Sequence, residues 1–390
     1  MFVSSIKKYI SLLIIILINF IFLIKYAERI TDYYILISIL ITIIYTLLFF
    51  SKRYIHINEK HINFISYFIV LLFISFSVVL FHKIPQVSLN VDRYSVITSF
   101  WDSYFNSDYV YLAKSHLGNM PGPMPFYFIL ALPFYFVHEL GYFSLFGLIL
   151  FVIIIKYYKI ERGNLFVGVL MVVGSAFYLS ETISRSNIFL NSSLVLFSVL
   201  FFSNSLNMRK KYHILLNGVI IGLFLSTRNV FVIPYIVLFL HSLKSKIYNL
   251  TDTIKIGIVV LLIFATTFIP FVINHFQSFK EMNPFIIQSS FLMPQSLSLT
   301  CVLFTLTSFF ITKSFKDVLF FSGLYLFITI LVYVLYQVYI LGFHQAIFQS
   351  KVDLSYFILC VPFFLYYILS DKPKFDKLED KQLIINGIKK

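Results

Sequence analysis

Residues 63–82, NFISYFIVLLFISFSVVLFH, contain no aspartate, glutamate, lysine or arginine. Wound as a helix, a run of about 20 residues rises ~30 Å, the thickness of a bilayer's hydrocarbon core. Comparable apolar runs recur from end to end, at 9–24, 33–50, 164–180, 188–206, 212–227, 229–243, 254–276, 297–313, 317–342 and 355–370. With the segment 125–157 they predict an all-α polytopic membrane protein with about twelve transmembrane helices. The expected organisation is a single transmembrane domain, 1–370, followed by a charged cytoplasmic tail, 371–390. Composition agrees: 59% of residues are hydrophobic and 19% aromatic, and the mean hydropathy of +0.89 lies far above that of soluble domains. The first run lacks a small-residue cleavage site and is followed by more spans, so it reads as an anchor.

Against this background VDRYSVITSFWDSYFNSD, residues 91–108, stands apart. The chain has 17 acidic residues in 390, and three aspartates, the single tryptophan and an arginine fall inside this stretch. Read as a helix, 91–105 puts Asp92, Ser95, Ser99 and Asp102 on one side and Tyr94, Ile97, Trp101 and Tyr104 on the other. That pattern predicts an amphipathic juxtamembrane helix whose aromatic side dips into lipid. The following NMPGPMPFYF carries Pro121, Pro123 and Pro125, which cannot be helical together and force an extended lead-in to the next apolar segment.

Basic residues decide which side the aspartates face. The net charge of +14 sits in short clusters between spans, as in loops that face anionic headgroups, and this placement argues against a nucleic-acid partner. If 125–157 crosses once, 22 of the 31 lysines and arginines fall on the side of the N-terminus; two crossings reverse the balance. The single-crossing topology is therefore expected, with both termini cytoplasmic and connections 83–124, 277–296 and 343–354 outside. Cys301 and Cys360 both lie in apolar runs and read as small hydrophobes, with no disulfide or metal motif.

Other charges share the outer side in this topology. Glu181 and Arg185 lie in SETISRSN, Arg228 in LSTRNVFVIP, and His275, Lys280 and Glu281 in INHFQSFKEMNPF. A carboxylate at a membrane boundary is costly unless it is used or paired, which singles out Asp92. Arginines at helix ends suit a phosphate through their planar fork, although each alone is equally explained by snorkelling.

VDRYS, the loop after it and PGPMPFYFILALPFYF resemble the first outer loop of GT-C class membrane glycosyltransferases. SRSNIFLNSSLVLFSVLFF and GVIIGLFLSTRNVFVIPYIVLFL resemble later segments of that superfamily, so the likeness runs over about 63–300. It departs in having two extra spans before the acidic loop, and Arg93 where some subfamilies carry a second acid. The resemblance implies a bacterial cytoplasmic-membrane enzyme that moves a sugar from a polyprenyl-phosphate donor to a glycan, lipid or protein hydroxyl on the outer face, with inversion. It implies Asp92 as general base and Arg228 and Arg185 as donor-phosphate ligands. Asp102, His116, Arg93 and Lys280 are secondary candidates from loop position, and no cofactor or metal is indicated. Two rival classes are an O-antigen polymerase or ligase type enzyme, which the short later loops disfavour, and a lipid-linked oligosaccharide flippase or other transporter.

Overall fold

The computed structural model describes residues 2–50, 58–158, 163–207, 209–291, 293–349 and 352–370; the tail 371–390 lies outside them. Every regular element among these residues is helical. In chain order the first twelve α-helices are α1 (Phe2–Ala27), α2 (Tyr34–Phe50), α3 (Glu59–Lys83), α4 (Arg93–Phe105), α5 (Pro125–Phe136) and α6 (Gly141–Tyr157). They continue with α7 (Asn164–Val173), α8 (Ala176–Ile183), α9 (Ile188–Asn204), α10 (Lys210–Leu225), α11 (Val232–Lys244) and α12 (Leu250–Thr266).

Among the described residues, four helices are long and apolar enough to cross a membrane: Ser5–Ala27, Glu59–Lys83, Leu250–Val272 and Phe315–Leu341. The number rises to six if the broken pairs α5 with α6 and α7 with α8 each count as one span. By length and apolarity alone this is fewer than the expected twelve. The six other apolar helices, such as Tyr34–Phe50 and Ile188–Asn204, have no more than 17 residues; at 1.5 Å per residue they rise only about 25 Å. Summed hydropathy is blind to such shortness, because it runs on through turns and bends. The run 164–180 shows why: Gly174 ends α7, and the Ser175 side chain caps α8 by accepting from Tyr178 N (3.2 Å), which turns the axis by 59°.

The chain packs as two compact units. The first comprises Met1–Tyr94, Phe136–Ser193 and Ile330–Asp371; the second, among the described residues, comprises Ser95–Tyr135 and Leu194–Thr329. Short polar side chains tie the helices of the first unit to one another's backbone. Asn19 on α1 accepts from Ala176 N (2.7 Å), Tyr45 on α2 donates to Met171 O (2.8 Å), and Tyr178 donates to Ser144 O (3.0 Å). Without water as a competing partner, such bonds fix which helix faces which. Gly147 lets α6 approach α9 closely, for a Cβ there would lie 3.0 Å from Leu190 N.

In the second unit Gly218 and Gly222, one turn apart on α10, play the same part against α12. A Cβ on Gly222 would lie 2.8 Å from Val260 O, and one on Gly218 2.5 Å from the Val259 side chain. This is the small-xxx-small spacing that lets membrane helices touch. The helix expected from 91–105 is present as α4, with Ile97 and Trp101 of its aromatic side buried against protein and Tyr104 exposed. Phe100 and Trp101 are buried, Phe100 stacks on Phe128 (3.7 Å between centroids), and Trp101 Nε1 donates to Phe128 O (3.1 Å). An indole N–H needs an acceptor, and the α5 backbone offers one that hydrocarbon cannot. Pro121 and Pro123 lie outside any helix, but Pro125 is the first residue of α5, where a proline is tolerated because the first-turn N–H has no partner to lose; this corrects the expectation that none of the three is helical. The junction is held by Met124 N on Thr227 O (3.2 Å) and Phe126 N on Ser226 O (2.9 Å).

Candidate functional site

In the first unit, the start of α4 builds a charge cluster from three segments far apart in the chain. Asp92 stands immediately before α4 and is half-buried. That is the N-cap position, where a carboxylate meets the unpaired N–H groups of the first turn. The next residue, Arg93, forms an ion pair with Asp353 and donates through Nη2 to Ser355 Oγ (2.9 Å). Its guanidinium lies 5.4 Å from the Tyr356 ring centroid.

Asp353 is itself fixed by local structure. It caps the 3₁₀ helix Leu354–Cys360, and its Oδ1 accepts from Ser355 N (3.0 Å) and Ser355 Oγ (2.5 Å). Burial pushes the Asp353 carboxyl up, but the Arg93 guanidinium, the Ser355 hydrogen bonds and the charge of Lys25 outweigh it and hold it below the ordinary value. Lys25, from the last turn of α1, is buried at 6% exposure. The cluster thus assembles Lys25, Asp92, Arg93 and Asp353 in one unit of a chain only 12% charged.

Arg185 belongs to a different arrangement of the same unit. It is 1% exposed and sits at φ 52°, a left-handed conformation rare outside glycine and asparagine. Nε donates to Glu139 Oε1 (3.3 Å), Nη1 to Ile183 O (2.9 Å), and Nη2 to Phe81 O (3.0 Å) and Ile84 O (2.8 Å). Every guanidinium nitrogen therefore holds a protein acceptor, and those acceptors include the last carbonyls of α3. Four of its five N–H donors are thus taken by the protein, which argues against the donor-phosphate role expected for Arg185. Glu139 also accepts from Gln86 Nε2 (3.1 Å) and Gly141 N (2.7 Å), and with Phe81, His82 and His138 it lines a cavity of about 280 Å³.

The remaining candidates lie in the second unit. Arg228, 5% exposed, is an extended residue between α10 and α11 whose guanidinium lies 5.4 Å from the Tyr127 ring centroid. The His116 Nδ1 is 2.6 Å from Ser95 Oγ, which also accepts from His116 N (3.2 Å), so the exposed imidazole is pinned to α4. Asp102 accepts from Tyr135 OH (2.6 Å), a link between α4 and α5. Lys280 is exposed, 4.6 Å from the Phe276 ring centroid.

Of the residues singled out in the sequence, the fold brings Asp92 and Arg93 into one cluster and commits Arg185 elsewhere. Two contributors were missed: Lys25 and Asp353. Asp353 carried a readable signal. It is the lone acid of connection 343–354, with serine two positions on and an apolar run behind it, the pattern of a capping turn. Among the described residues no three His, Cys, Asp or Glu side chains group as they would around a metal ion. No protein-family model, curated protein or solved structure matches this chain.

Proposed function

We propose that this chain is a membrane glycosyltransferase that moves a sugar from a polyprenyl-phosphate donor to an acceptor hydroxyl on the outer face of a bacterial cytoplasmic membrane. One observation carries the reading. A half-buried aspartate stands just before the first α-helix after a long apolar helix, and a proline-rich stretch leads from that helix into the next apolar one. This is the order of parts that the GT-C resemblance implies. In this reading the four long helices, the two broken pairs and the six shorter apolar helices all cross, which keeps both termini in the cytoplasm and most basic residues with them.

The chemistry needs a base and a cation. The acceptor oxygen attacks the anomeric carbon and its proton passes to the Asp92 carboxylate. The bond from that carbon to the donor phosphate oxygen breaks, and the polyprenyl phosphate leaves with the electron pair. A buried cation beside the donor phosphate lowers the cost of the leaving charge. Arg93 serves Asp92 indirectly, because Asp353 and Ser355 hold the guanidinium that follows it.

A second reading, a transporter of lipid-linked oligosaccharides, draws on the break at Gly174–Ser175, since broken helices are a transporter feature. Mass spectrometry of lipid-linked intermediates in a strain lacking the protein separates the two. Loss of a transferase leaves the lipid-linked donor sugar in excess and the glycan one sugar short. Loss of a transporter leaves the finished lipid-linked oligosaccharide to accumulate.

A further inference from the structure

The cavity of about 280 Å³ in the first unit lies between the last turn of α3 and the turn that joins α5 to α6. Its walls are Phe81, His82, Val137, His138, Glu139 and Tyr142. The joining turn bends the chain by 116° and is stapled from several sides. Glu139 Oε1 accepts from Gly141 N at the start of α6 (2.7 Å) and from Arg185 Nε (3.3 Å), and Oε2 accepts from Gln86 Nε2 (3.1 Å). Gly141 makes room for Phe81, for a Cβ there would lie 2.4 Å from the ring, and that ring meets Tyr142 edge-on at 6.0 Å. The walls are thus set before any ligand arrives.

Three side chains on those walls keep unused hydrogen-bonding capacity. His82 Nδ1 donates to Val78 O (2.8 Å), which leaves Nε2 of the neutral ring as an acceptor. Among the described residues the His138 imidazole and the Tyr142 hydroxyl have no hydrogen-bond partner. His138 is also held at φ 59°, just past the end of α5. Glycine is the usual residue in that position, so a histidine sits there at a cost, and such strained residues gather at binding sites.

Charge and shape select the ligand class. The one carboxylate in the wall is already met by Arg185 and Gln86, and among the described residues no metal-ligating group forms. Two imidazoles and a phenol remain, groups that both donate and accept, beside the apolar surfaces of Phe81 and Val137. A sugar ring has the matching chemistry: hydroxyls that donate and accept around its rim, and C–H groups on its face. At about 280 Å³ the cavity lies at the small end of ligand pockets and suits a single ring.

We propose that this cavity binds one neutral sugar ring. The assignment deepens the transfer reading and rests on it for one point alone: with the reacting sugar placed at Asp92, the ring held here belongs to the acceptor glycan. Gln86, whose amide holds Glu139, stands in the connection that leads from α3 to Asp92.

The full chain is purified in a polyoxyethylene detergent, which has no sugar headgroup to compete. It is titrated with the methyl glycosides of glucose, galactose, mannose, rhamnose and N-acetylglucosamine, with sorbitol as the open-chain blank and inorganic phosphate as the anion probe. Binding is read by saturation-transfer NMR on the ligand and by the thermal midpoint, which rises when a ligand binds the folded state. Tyr142→Phe removes the hydroxyl and keeps the ring, His138→Asn keeps a residue that tolerates the left-handed conformation, and the exposed Tyr157→Phe is the control. At least one glycoside is expected to bind wild type, Tyr157→Phe and Asp92→Asn alike. Tyr142→Phe and His138→Asn should each bind it about 5-fold more weakly, the loss of one hydrogen bond. No glycoside binding by wild type, equal binding by wild type and both cavity variants, or a response to sorbitol or phosphate as strong as to any glycoside overturns the proposal. If His138→Asn does not fold, Tyr142→Phe decides it alone. No donor is present in these titrations, so absent glycoside binding sinks the cavity alone, whereas an Asp92→Asn protein that still transfers sugar sinks the transfer reading alone.

Discussion

Two arginines of the same unit, Arg185 and Arg93, teach different lessons about buried charge. Arg185 is 1% exposed, and its three guanidinium nitrogens are answered by Glu139 and by the carbonyls of Phe81, Ile84 and Ile183. Arg93 keeps 13% of its side chain exposed, its partner Asp353 keeps 39%, and a second cation, Lys25, lies beside the pair. The first arrangement closes on itself and clamps the end of α3. The second is charged, partly open and next to Asp92. The Arg185 arrangement is architecture; the other is a balanced cluster, Lys25 and Arg93 against Asp92 and Asp353, that stays partly exposed.

The largest effect expected from this contrast is on stability at Arg185. Replacing it by methionine leaves Glu139 and three carbonyls without their donor, and removal of one partner from a buried pair typically costs ~3–5 kcal/mol. Arg185→Met is therefore expected to lower the thermal midpoint in detergent sharply, and Arg185→Lys to rescue little, since an ammonium cannot reach four acceptors in a planar fork. A midpoint unchanged by Arg185→Met breaks the comparison.

A smaller and pH-dependent effect is expected at Asp353. Its carboxyl is held below the ordinary value in the folded chain, so the Arg93–Asp353 link stabilises above the unfolded value. That contribution is lost as the pH falls through the lowered folded value. Asp353→Asn should thus lower the thermal midpoint near neutral pH, by about 1 kcal/mol or less because the carboxylate is partly exposed. The gap between variant and wild type should close once the pH has fallen below that lowered folded value. A gap that persists in acid would show that the link is held by Ser355 and packing rather than by charge.

The same contrast explains what could be read in advance. Apolar length and the 3.6-residue pattern are local, so the helices and the start of α4 were legible in the runs themselves. Pairing was not: Asp353 lies 260 positions from Arg93, and nothing in either segment's periodicity names the other. Trp101 was placed on the right side of α4, but periodicity does not say whether that side meets lipid or the α5 backbone. At Arg185, the local sequence showed an arginine near a helix end and hid the carbonyls of α3 that fill it. The break at Gly174–Ser175 escaped because both halves are apolar and a hydropathy window adds across them.

Asp92 provides the most direct test, because its two readings separate on one substitution. Asparagine caps a helix about as well as aspartate, so Asp92→Asn keeps the cap and loses the base. Wild type and Asp92→Asn, reconstituted in vesicles with a polyprenyl-phosphate sugar and an acceptor, are compared for transfer and for thermal midpoint. The account predicts an unchanged midpoint and transfer reduced by ~10²-fold or more, the contribution of a general base. Transfer retained at more than about a tenth of wild type, with the same midpoint, would contradict it and leave Asp92 as the cap of α4.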